Sequence, residues 1–310
     1  MKTFQNKTVF LTGAASGIGR ELALQLARSG CHLYLVDIDE AGLQRLVTEI
    51  GTQSPGRSQW IQTQVCNLAD ADDVAATLQH FDENVEVIDV VINNAGIAFY
   101  GPTETMSPQQ WDRLMRINLL SPIQITSHFL PQLLERPDAH VVNMCSVAGL
   151  VAGGRFAAYN TSKFGLIGYT ESLRAEYGRK GIGVTAICPG PVVTNLYEAA
   201  ESGHKDRKVP VPPRWACATA QQVATKTVKA MLKNRRQVLI TPMAHVVSRV
   251  KRFAPGLLDA VAQFSRKRRR RLAELQAKED RRLQDLQRRQ ATGQPSAPTA
   301  DAADSLNSAA

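Results

Sequence analysis

The sequence has no apolar run long enough to cross a membrane. No stretch approaches the ~18 consecutive apolar residues that suggest a spanning helix. The N-terminus shows no signal-peptide core, because a strand pattern begins by Thr8. We therefore predict neither a signal peptide nor a transmembrane helix, and we expect a cytoplasmic protein.

Cysteine patterns that bind metals or build disulfide frameworks are also missing. The five cysteines are widely spaced and odd in number, and they form no C-x-x-C or Cys/His cluster. Most of them lie in apolar, strand-like contexts, where a free thiol behaves as a small hydrophobic side chain. This usage favours buried free thiols in a reducing compartment and predicts no metal site.

Acidic charge is scarcer than basic charge, and the basic excess lies near the C-terminus. The 310 residues include 37 Lys and Arg against 28 Asp and Glu, a formal net charge of +9. Residues 265–290 hold eleven basic and four acidic side chains, a net charge of +7. Any contact with a polyanion or a membrane surface must therefore depend on this segment.

Apolar strand patterns alternate with amphipathic helix patterns seven times along the chain. Most of the strands are continuously apolar, which is typical of a parallel sheet covered on both faces. We predict an α/β fold with a doubly wound parallel sheet of about seven strands. It occupies residues 1–243, followed by a basic amphipathic helical extension over 244–290 and a disordered tail over 291–310.

A glycine-rich turn follows the first predicted strand, Thr8–Thr12. The next seven residues contain three glycines, and an amphipathic helix begins near Ile18. Glycines let the backbone turn tightly and approach a pyrophosphate, and the helix N-terminus adds N–H donors and positive partial charge. The predicted phosphate-binding residues are Gly13, Ser16, Gly17, Ile18 and Gly19.

An acidic residue ends the second predicted strand, His32–Val36. Asp37 follows Gly13 by 24 residues, near the spacing at which a carboxylate bonds an adenosine ribose. This carboxylate would also repel a 2′-phosphate, so the pattern favours NAD over NADP. The alternative is that Asp37 caps the helix predicted over Glu40–Ile50, and the two roles can coexist.

The stretch from Val141 to Lys163 joins a strand, Ser146 and a helix that carries Tyr159. Tyr and Lys four residues apart lie on one helical face. A cation near a phenol favours the phenolate and so lowers a pKa whose ordinary value is about 10. This spacing is common by chance, and it becomes informative only with the other motifs.

A helix predicted from Ser107 carries Asn118, which interrupts its apolar face. Pro122 follows shortly after and predicts a break or kink around it. A buried Asn beside a kink usually satisfies backbone groups, whereas at a catalytic site it could hold a water.

Together these motifs resemble the short-chain dehydrogenase/reductase family. The matching segments, in order over roughly residues 5–245, are T-G-A-A-S-G-I-G at 12–19, Asp37, N-N-A-G at 93–96, N-L at 118–119, Ser146, Y-N-T-S-K at 159–163 and P-G-x-x-x-T at 189–194. The resemblance implies a Rossmann-type domain that binds a nicotinamide cofactor, NAD rather than NADP, across the carboxyl edge of its sheet. It implies an oxidoreductase acting on CH–OH donors.

The resemblance also implies roles for individual residues. Tyr159 would be the general acid/base, and Lys163 would bind the nicotinamide ribose and lower the pKa of Tyr159. Ser146 would orient the substrate oxygen, and Asn118 would hold a water in a proton relay.

The family usually has Asp where this chain has Asn67, whose amide oxygen can still accept a bond from the adenine amino group. The other implied cofactor contacts are Leu68, Asn94, Ala95, Gly96, Pro189, Gly190, Val193 and Thr194.

The candidate substrate pocket is mostly apolar, and Arg155 is its one cation placed for a carboxylate. We predict a hydrophobic alcohol or ketone of lipid, steroid or retinoid type. The alternative is that several of these side chains pack the core or a dimer interface. Residues 201–217 are polar, basic and proline-containing, which predicts a mobile lid. The predicted substrate contacts are Ser146, Leu150, Phe156, Tyr159 and Leu196.

Partners beyond the substrate are less defined. Family members usually pair through the helices that contain Asn118 and Tyr159, which implies a homodimer or homotetramer. The basic segment 265–290 is either a solvated helix, a helix at an anionic membrane surface, or a nucleic-acid contact. No aromatic side chain interleaves its basic run, so base stacking is disfavoured. The alternative function is a non-catalytic, cofactor-bound scaffold that uses this segment.

Overall fold

The computed structural model describes residues 1–53, 58–194, 200–203, 212–258 and 260. The chain divides into two compact units, Met1–Arg249 and Val250–Ala310. Residues 261–290 of the predicted extension, the predicted tail and Leu196 lie outside the described residues. Within the described part, no helix is long and apolar enough to span a membrane.

A seven-stranded parallel sheet forms the centre of the first unit. The strands of the described residues, in chain order, are β1 (Thr8–Thr12), β2 (His32–Asp37), β3 (Ile61–Val65), β4 (Val90–Asn93), β5 (Phe99–Tyr100), β6 (His140–Met144), β7 (Gly183–Cys188), β8 (Val192–Val193), β9 (Glu201–Ser202), β10 (Ala218–Thr219) and β11 (Gln237–Leu239). The short strands β5, β8, β9 and β10 lie outside the central sheet and form two separate pairs. The sheet order is β11-β7-β6-β4-β1-β2-β3, and every neighbouring pair is parallel. The predicted Rossmann-type doubly wound sheet is confirmed.

Helices cover both faces of this sheet. The helices are α1 (Gly17–Arg28), α2 (Glu40–Gln53), α3 (Ala71–Asn84), α4 (Pro108–Met115), α5 (Ser121–Leu134), α6 (Ala157–Tyr177), α7 (Ala220–Leu232) and α8 (Pro242–Phe253). One apolar cluster includes side chains of α1, α2 and α7, and another includes Phe10, Phe81 and Phe129. Because apolar side chains lie on both faces, β1 and β7 are buried along their whole lengths.

The chain leaves β1 and β4 in opposite directions across the sheet. Strands β2 and β3 lie on one side of this central pair, and β6, β7 and β11 lie on the other. Connections that diverge in this way leave a crevice at the carboxyl ends of the two strands. The glycine turn after β1 and the N-N-A-G segment after β4 therefore meet at this crevice.

Side-chain caps define several helix starts. A capping box formed by Ser107 and Gln110 begins α4, as the sequence predicted. The suggestion that Asp37 caps α2 is wrong. Asp39 takes that position, because its carboxylate accepts the Gly42 N–H at 2.9 Å.

The break expected near Asn118 is a single π-helical turn. Residues 116–120 form this turn, which joins α4 directly to α5. Pro122 has no N–H, so the Asn118 carbonyl lacks the donor that an α-helix would supply from that position. A widened turn accommodates this missing bond without ending the helix.

Part of the expected mobile lid is regular structure. Strand β9 pairs in parallel with β5. The Glu201 carboxylate accepts bonds from Gln110 at 2.7 Å and from Arg113 at 2.6 Å. Residues 204–211 of the predicted lid lie outside the described residues.

Candidate active site

The glycine turn leaves room for a ligand at the N-terminus of α1. Gly13 and Gly17 have φ values of +65° and +53°, which non-glycine side chains rarely adopt. A Cβ at Gly13 would lie 2.8 Å from the Ala95 Cα, and one at Gly17 would lie 3.3 Å from the Thr194 side chain. Ser16 makes no side-chain cap, and the first turn of α1 has no acidic residue. The predicted phosphate site therefore combines a bare backbone with the N–H donors of a helix start that Ser16 does not cap.

Asp37 stands beside this turn at the carboxyl end of β2. Its carboxylate accepts the Ala15 N–H at 2.9 Å and the Asp39 N–H at 3.1 Å. These bonds fix the negative charge of Asp37 next to the glycine turn.

Asn67 is already partly engaged by its own loop. Its side-chain oxygen accepts the Ala69 N–H at 3.1 Å, and its backbone N–H donates to Asp73 at 2.7 Å. The neighbouring Leu68 carbonyl accepts a bond of 2.5 Å from the Ser121 hydroxyl. The loop is therefore fixed in place, and the Asn67 oxygen keeps one of its two acceptor positions.

Asn93, the last residue of β4, and Asn94, which follows it, bond in different directions. The Asn94 side chain donates to the Thr12 and Gly13 carbonyls, each at 3.0 Å. Asn93 donates to the Asn143 side chain at 2.8 Å within the buried sheet. Asn94 therefore holds the glycine turn against the N-N-A-G segment, and Asn93 ties β4 to β6.

Protein partners use both amide protons of Asn118 and one acceptor position of its side-chain oxygen. Its oxygen accepts the Ile97 N–H at 2.8 Å, and its nitrogen donates to the Ile97 carbonyl at 2.9 Å and to the Ser162 hydroxyl at 3.1 Å. Ser162 in turn donates to the Tyr159 carbonyl at 2.9 Å. The π turn is thus joined to α6 through Ser162.

Ser146 begins a short 3-10 turn directly after β6. Its hydroxyl oxygen accepts the Ala148 N–H at 3.1 Å. The next N–H, that of Val147, donates to the Pro189 carbonyl at 2.9 Å. The loop after β6 and the P-G-x-x-x-T loop after β7 are therefore held side by side.

Lys163 is a buried cation beside Tyr159. Its ammonium donates to the Met144 carbonyl at 2.8 Å and lies 5.8 Å from the centroid of the Tyr159 ring. A Cβ at Gly96 would come within 3.4 Å of the same ammonium. Burial lowers the pKa of Lys163 to about 8, because an ammonium is costly to remove from water.

Comparison with known proteins decides the family. A family model described as short chain dehydrogenase matches residues 7–205. The chain belongs to the short-chain dehydrogenase family.

Alignments with similar proteins cover most of the length of this short-chain dehydrogenase. It is 30% identical over 269 residues to dehydrogenase/reductase SDR family member 7B of Mus musculus, covering 86% of this chain and 83% of that protein. It is 31% identical over 272 residues to the probable oxidoreductase EphD of Mycobacterium tuberculosis, covering 84% of this chain but 45% of that protein. The chain thus spans a little under half the length of the EphD relatives.

A solved structure shares the fold. The crystal structure of a short-chain dehydrogenase/reductase from Burkholderia phymatum in complex with NAD matches this chain with a TM-score of 0.72 and 26% identity. The match covers 83% of this chain and 97% of that chain.

The predicted substrate residues of this short-chain dehydrogenase lie in different settings. Leu150 packs against the apolar cluster that includes Leu166 and Ile167. Phe156 instead contacts two other rings, those of Tyr100 and Tyr159. Sequence reasoning missed Tyr100, whose place beside Phe156 depends on β5, a two-residue strand without a detectable pattern.

Proposed function

We propose that this short-chain dehydrogenase interconverts a hydrophobic alcohol and its ketone or aldehyde, of lipid, steroid or retinoid type, using NAD(H). One observation carries the proposal. Lys163 is a buried cation without a carboxylate partner among the described residues, and it lies beside Tyr159 at the centre of the crevice. Burying an uncompensated ammonium is costly, so a functional use of its charge explains its retention.

The residues at the crevice fit a nicotinamide dinucleotide. Gly13, Gly17 and the N-terminus of α1 would hold the pyrophosphate, Asp37 would bond the adenosine ribose, and Lys163 would bond the nicotinamide ribose. The cofactor, when bound, supplies the hydride chemistry. Asp37 favours NAD(H), and equal affinity for NADPH and NADH would contradict this preference.

The chain's own residues would manage the proton. The Lys163 charge favours the phenolate form of Tyr159, so this phenol can exchange a proton with the substrate oxygen. Ser146 would share that oxygen through a hydrogen bond. The Asn118 carbonyl would hold a water that connects Lys163 to solvent.

The Tyr159→Phe variant tests this proposal. Loss of the phenolic proton should lower kcat by about 10²- to 10⁴-fold, whereas NADH affinity, measured by fluorescence titration, should stay near the parent value. Tyr177→Phe, on the last turn of the same helix, serves as the control and should keep the parent kcat. A Tyr159→Phe enzyme as active as the parent would remove Tyr159 from the mechanism.

We also propose that the protein forms a homodimer or homotetramer. Leu120 on the π turn and Phe164 on α6 are large apolar side chains left 46% and 42% exposed. These residues lie on the two helices through which family members usually pair. Light scattering of the purified protein measures the assembly directly, and a monomeric mass would reject it.

Peripheral attachment to an anionic membrane is a further proposal. Helix α8 leaves Val246 and Phe253 60% and 78% exposed, and the sequence then continues into the basic run 266–271. Apolar side chains beside clustered arginines suit an interface of acyl chains and anionic headgroups.

A further inference from the structure

A row of three aromatic rings leads from the reactive phenol to an arginine. The Tyr159 and Phe156 ring centroids are 6.2 Å apart, and the Phe156 and Tyr100 centroids are 5.0 Å apart. The Arg155 guanidinium carbon lies 5.8 Å from the Tyr100 centroid. All three rings are half-buried, so each keeps part of its surface open to a ligand. The row ends at Tyr159 on one side and at a positive charge on the other.

The backbone of Arg155 is held in a strained conformation. Its φ is +70°, a left-handed value that favours glycine. Two glycines, Gly153 and Gly154, directly precede Arg155, but the left-handed position falls on the arginine. The Arg155 carbonyl accepts the Gly101 N–H at 2.9 Å, and the Asn160 side chain donates to the Gly153 carbonyl at 2.7 Å. Both ends of this short loop are therefore fixed, and the surrounding structure enforces a left-handed residue that carries a long charged side chain. Strain of this kind is concentrated at functional sites.

The charge of Arg155 has no acidic partner in the part of the chain that the structure describes. Two other arginines do have one, since Arg113 pairs with Glu201 and Arg116 pairs with Asp112. Arg155 is exposed, and its guanidinium lies over the Tyr100 ring. A guanidinium offers a planar fork of donors that matches a carboxylate, and it can stack on a ring at the same time.

We propose that Arg155 is a specificity residue that binds a carboxylate on the substrate, while Tyr100 and Phe156 hold the apolar part. This inference rests on the proposed function and narrows its substrate class. The substrate is then an apolar alcohol or carbonyl compound with an acid group placed away from the reacting carbon. Flat or unsaturated groups would pack best on the two rings.

Binding of a matched ligand pair tests this assignment without requiring turnover. The NADH-loaded enzyme is titrated calorimetrically with 2-naphthoate and with 2-naphthamide, which has nearly the same shape but no charge. The parent should bind the naphthoate about three- to tenfold more tightly, as a partly exposed ion pair provides. Arg155→Asn should abolish this preference, because Asn tolerates a positive φ and removes the guanidinium. The control Arg236→Asn alters an exposed arginine paired with Glu171 and should keep the preference.

Three results would overturn the assignment. They are equal affinity of the parent for both compounds, a preference that persists in Arg155→Asn, and absence of binding by either compound. NADH affinity equal to that of the parent verifies that the Arg155→Asn site is intact. Failure of the proposed function would appear separately, as failure to bind NADH or as full activity of Tyr159→Phe.

Discussion

At the scale of single residues, burial decides how ionisable groups behave. The spacing of Tyr159 and Lys163 places them on one helical face, but it says nothing about solvent. In the folded chain Lys163 is 3% exposed, and its pKa falls to about 8 because burial disfavours the ammonium. Its charge therefore acts on Tyr159 in a low-dielectric setting, where electrostatic interactions are stronger than in water.

A second buried ionisable residue, His140, affects stability. Its Nε2 lies 2.8 Å from the Thr185 hydroxyl, which itself donates to the Arg235 carbonyl at 2.6 Å. Because the Thr185 proton is already used, Nε2 must carry the imidazole proton. Nδ1 has no partner among the described residues, and burial lowers the pKa of His140 to about 3.

The His140 environment predicts acid sensitivity. The folded state keeps the imidazole neutral, whereas the unfolded chain protonates it near its ordinary pKa of about 6.5. Its contribution to stability is therefore complete above about pH 6.5 and declines as pH falls towards 3, by up to about 1.4 kcal/mol per pH unit. Urea unfolding between pH 5 and pH 7 measures this slope. His140→Asn cannot titrate and should show a smaller slope, so equal slopes in the two proteins would contradict this account.

At the scale of elements, a buried polar network ties two strands to two helices. Asn93 on β4 donates to Asn143 on β6 at 2.8 Å and to Thr126 on α5 at 2.9 Å. Asn143 donates to Thr170 on α6 at 2.9 Å. Helix α5 follows the turn that carries Asn118, and α6 carries Tyr159. The network therefore fixes the two helices that present the catalytic candidates.

A double-mutant cycle tests this network. Asn93→Leu and Asn143→Leu should each lower the free energy of unfolding by about 1–3 kcal/mol, because each leaves a buried polar partner without its bond. The double variant should lose less than the sum, since both partners are then removed. Denaturant unfolding gives the four values. In the control pair, Asn143→Leu and Gln79→Ala, the second change is at an exposed position on α3, and the two losses of free energy should add. Additive losses for Asn93→Leu and Asn143→Leu would exclude coupling between these two residues.

Helix ends and strand cores follow from local chemistry, but irregular turns do not. The Ser107 capping box was visible in the sequence because its bonds join residues three apart. Pro122 predicted a disturbance near Asn118, yet not whether the helix would break or widen. Bonds from Asn118 to Ile97 and Ser162 contribute to that outcome, and those partners are distant along the chain.

At the scale of the whole molecule, the basic charge is concentrated in the C-terminal segment 265–290. The basic run 266–271 holds six of the 37 Lys and Arg. Each basic side chain near an anionic bilayer contributes about 1 kcal/mol to binding, and salt screens this attraction. Membrane attachment should therefore depend on the segment and on ionic strength, but not on the cofactor site.

Vesicle flotation checks this membrane prediction. The full chain should float with vesicles that contain anionic phospholipid, and it should stay in the dense fraction with neutral vesicles or at high salt. Replacing residues 268–271 by Gln should abolish flotation while leaving NADH affinity unchanged. If the parent protein does not float with anionic vesicles, the attachment does not occur.

The sequence by itself determined the sheet, its winding and the family, because strand apolarity, glycine turns and motif order are local patterns. It also placed Asp37 and Ser146 at the carboxyl edge, since the parallel strands end together there, and it put Tyr159 and Lys163 on one helical face. Only the tertiary structure decided the burial of Lys163, the π turn at residues 116–120, and the row of rings from Tyr159 to Arg155. Each of these depends on contacts between segments far apart in the chain, and no local pattern encodes them.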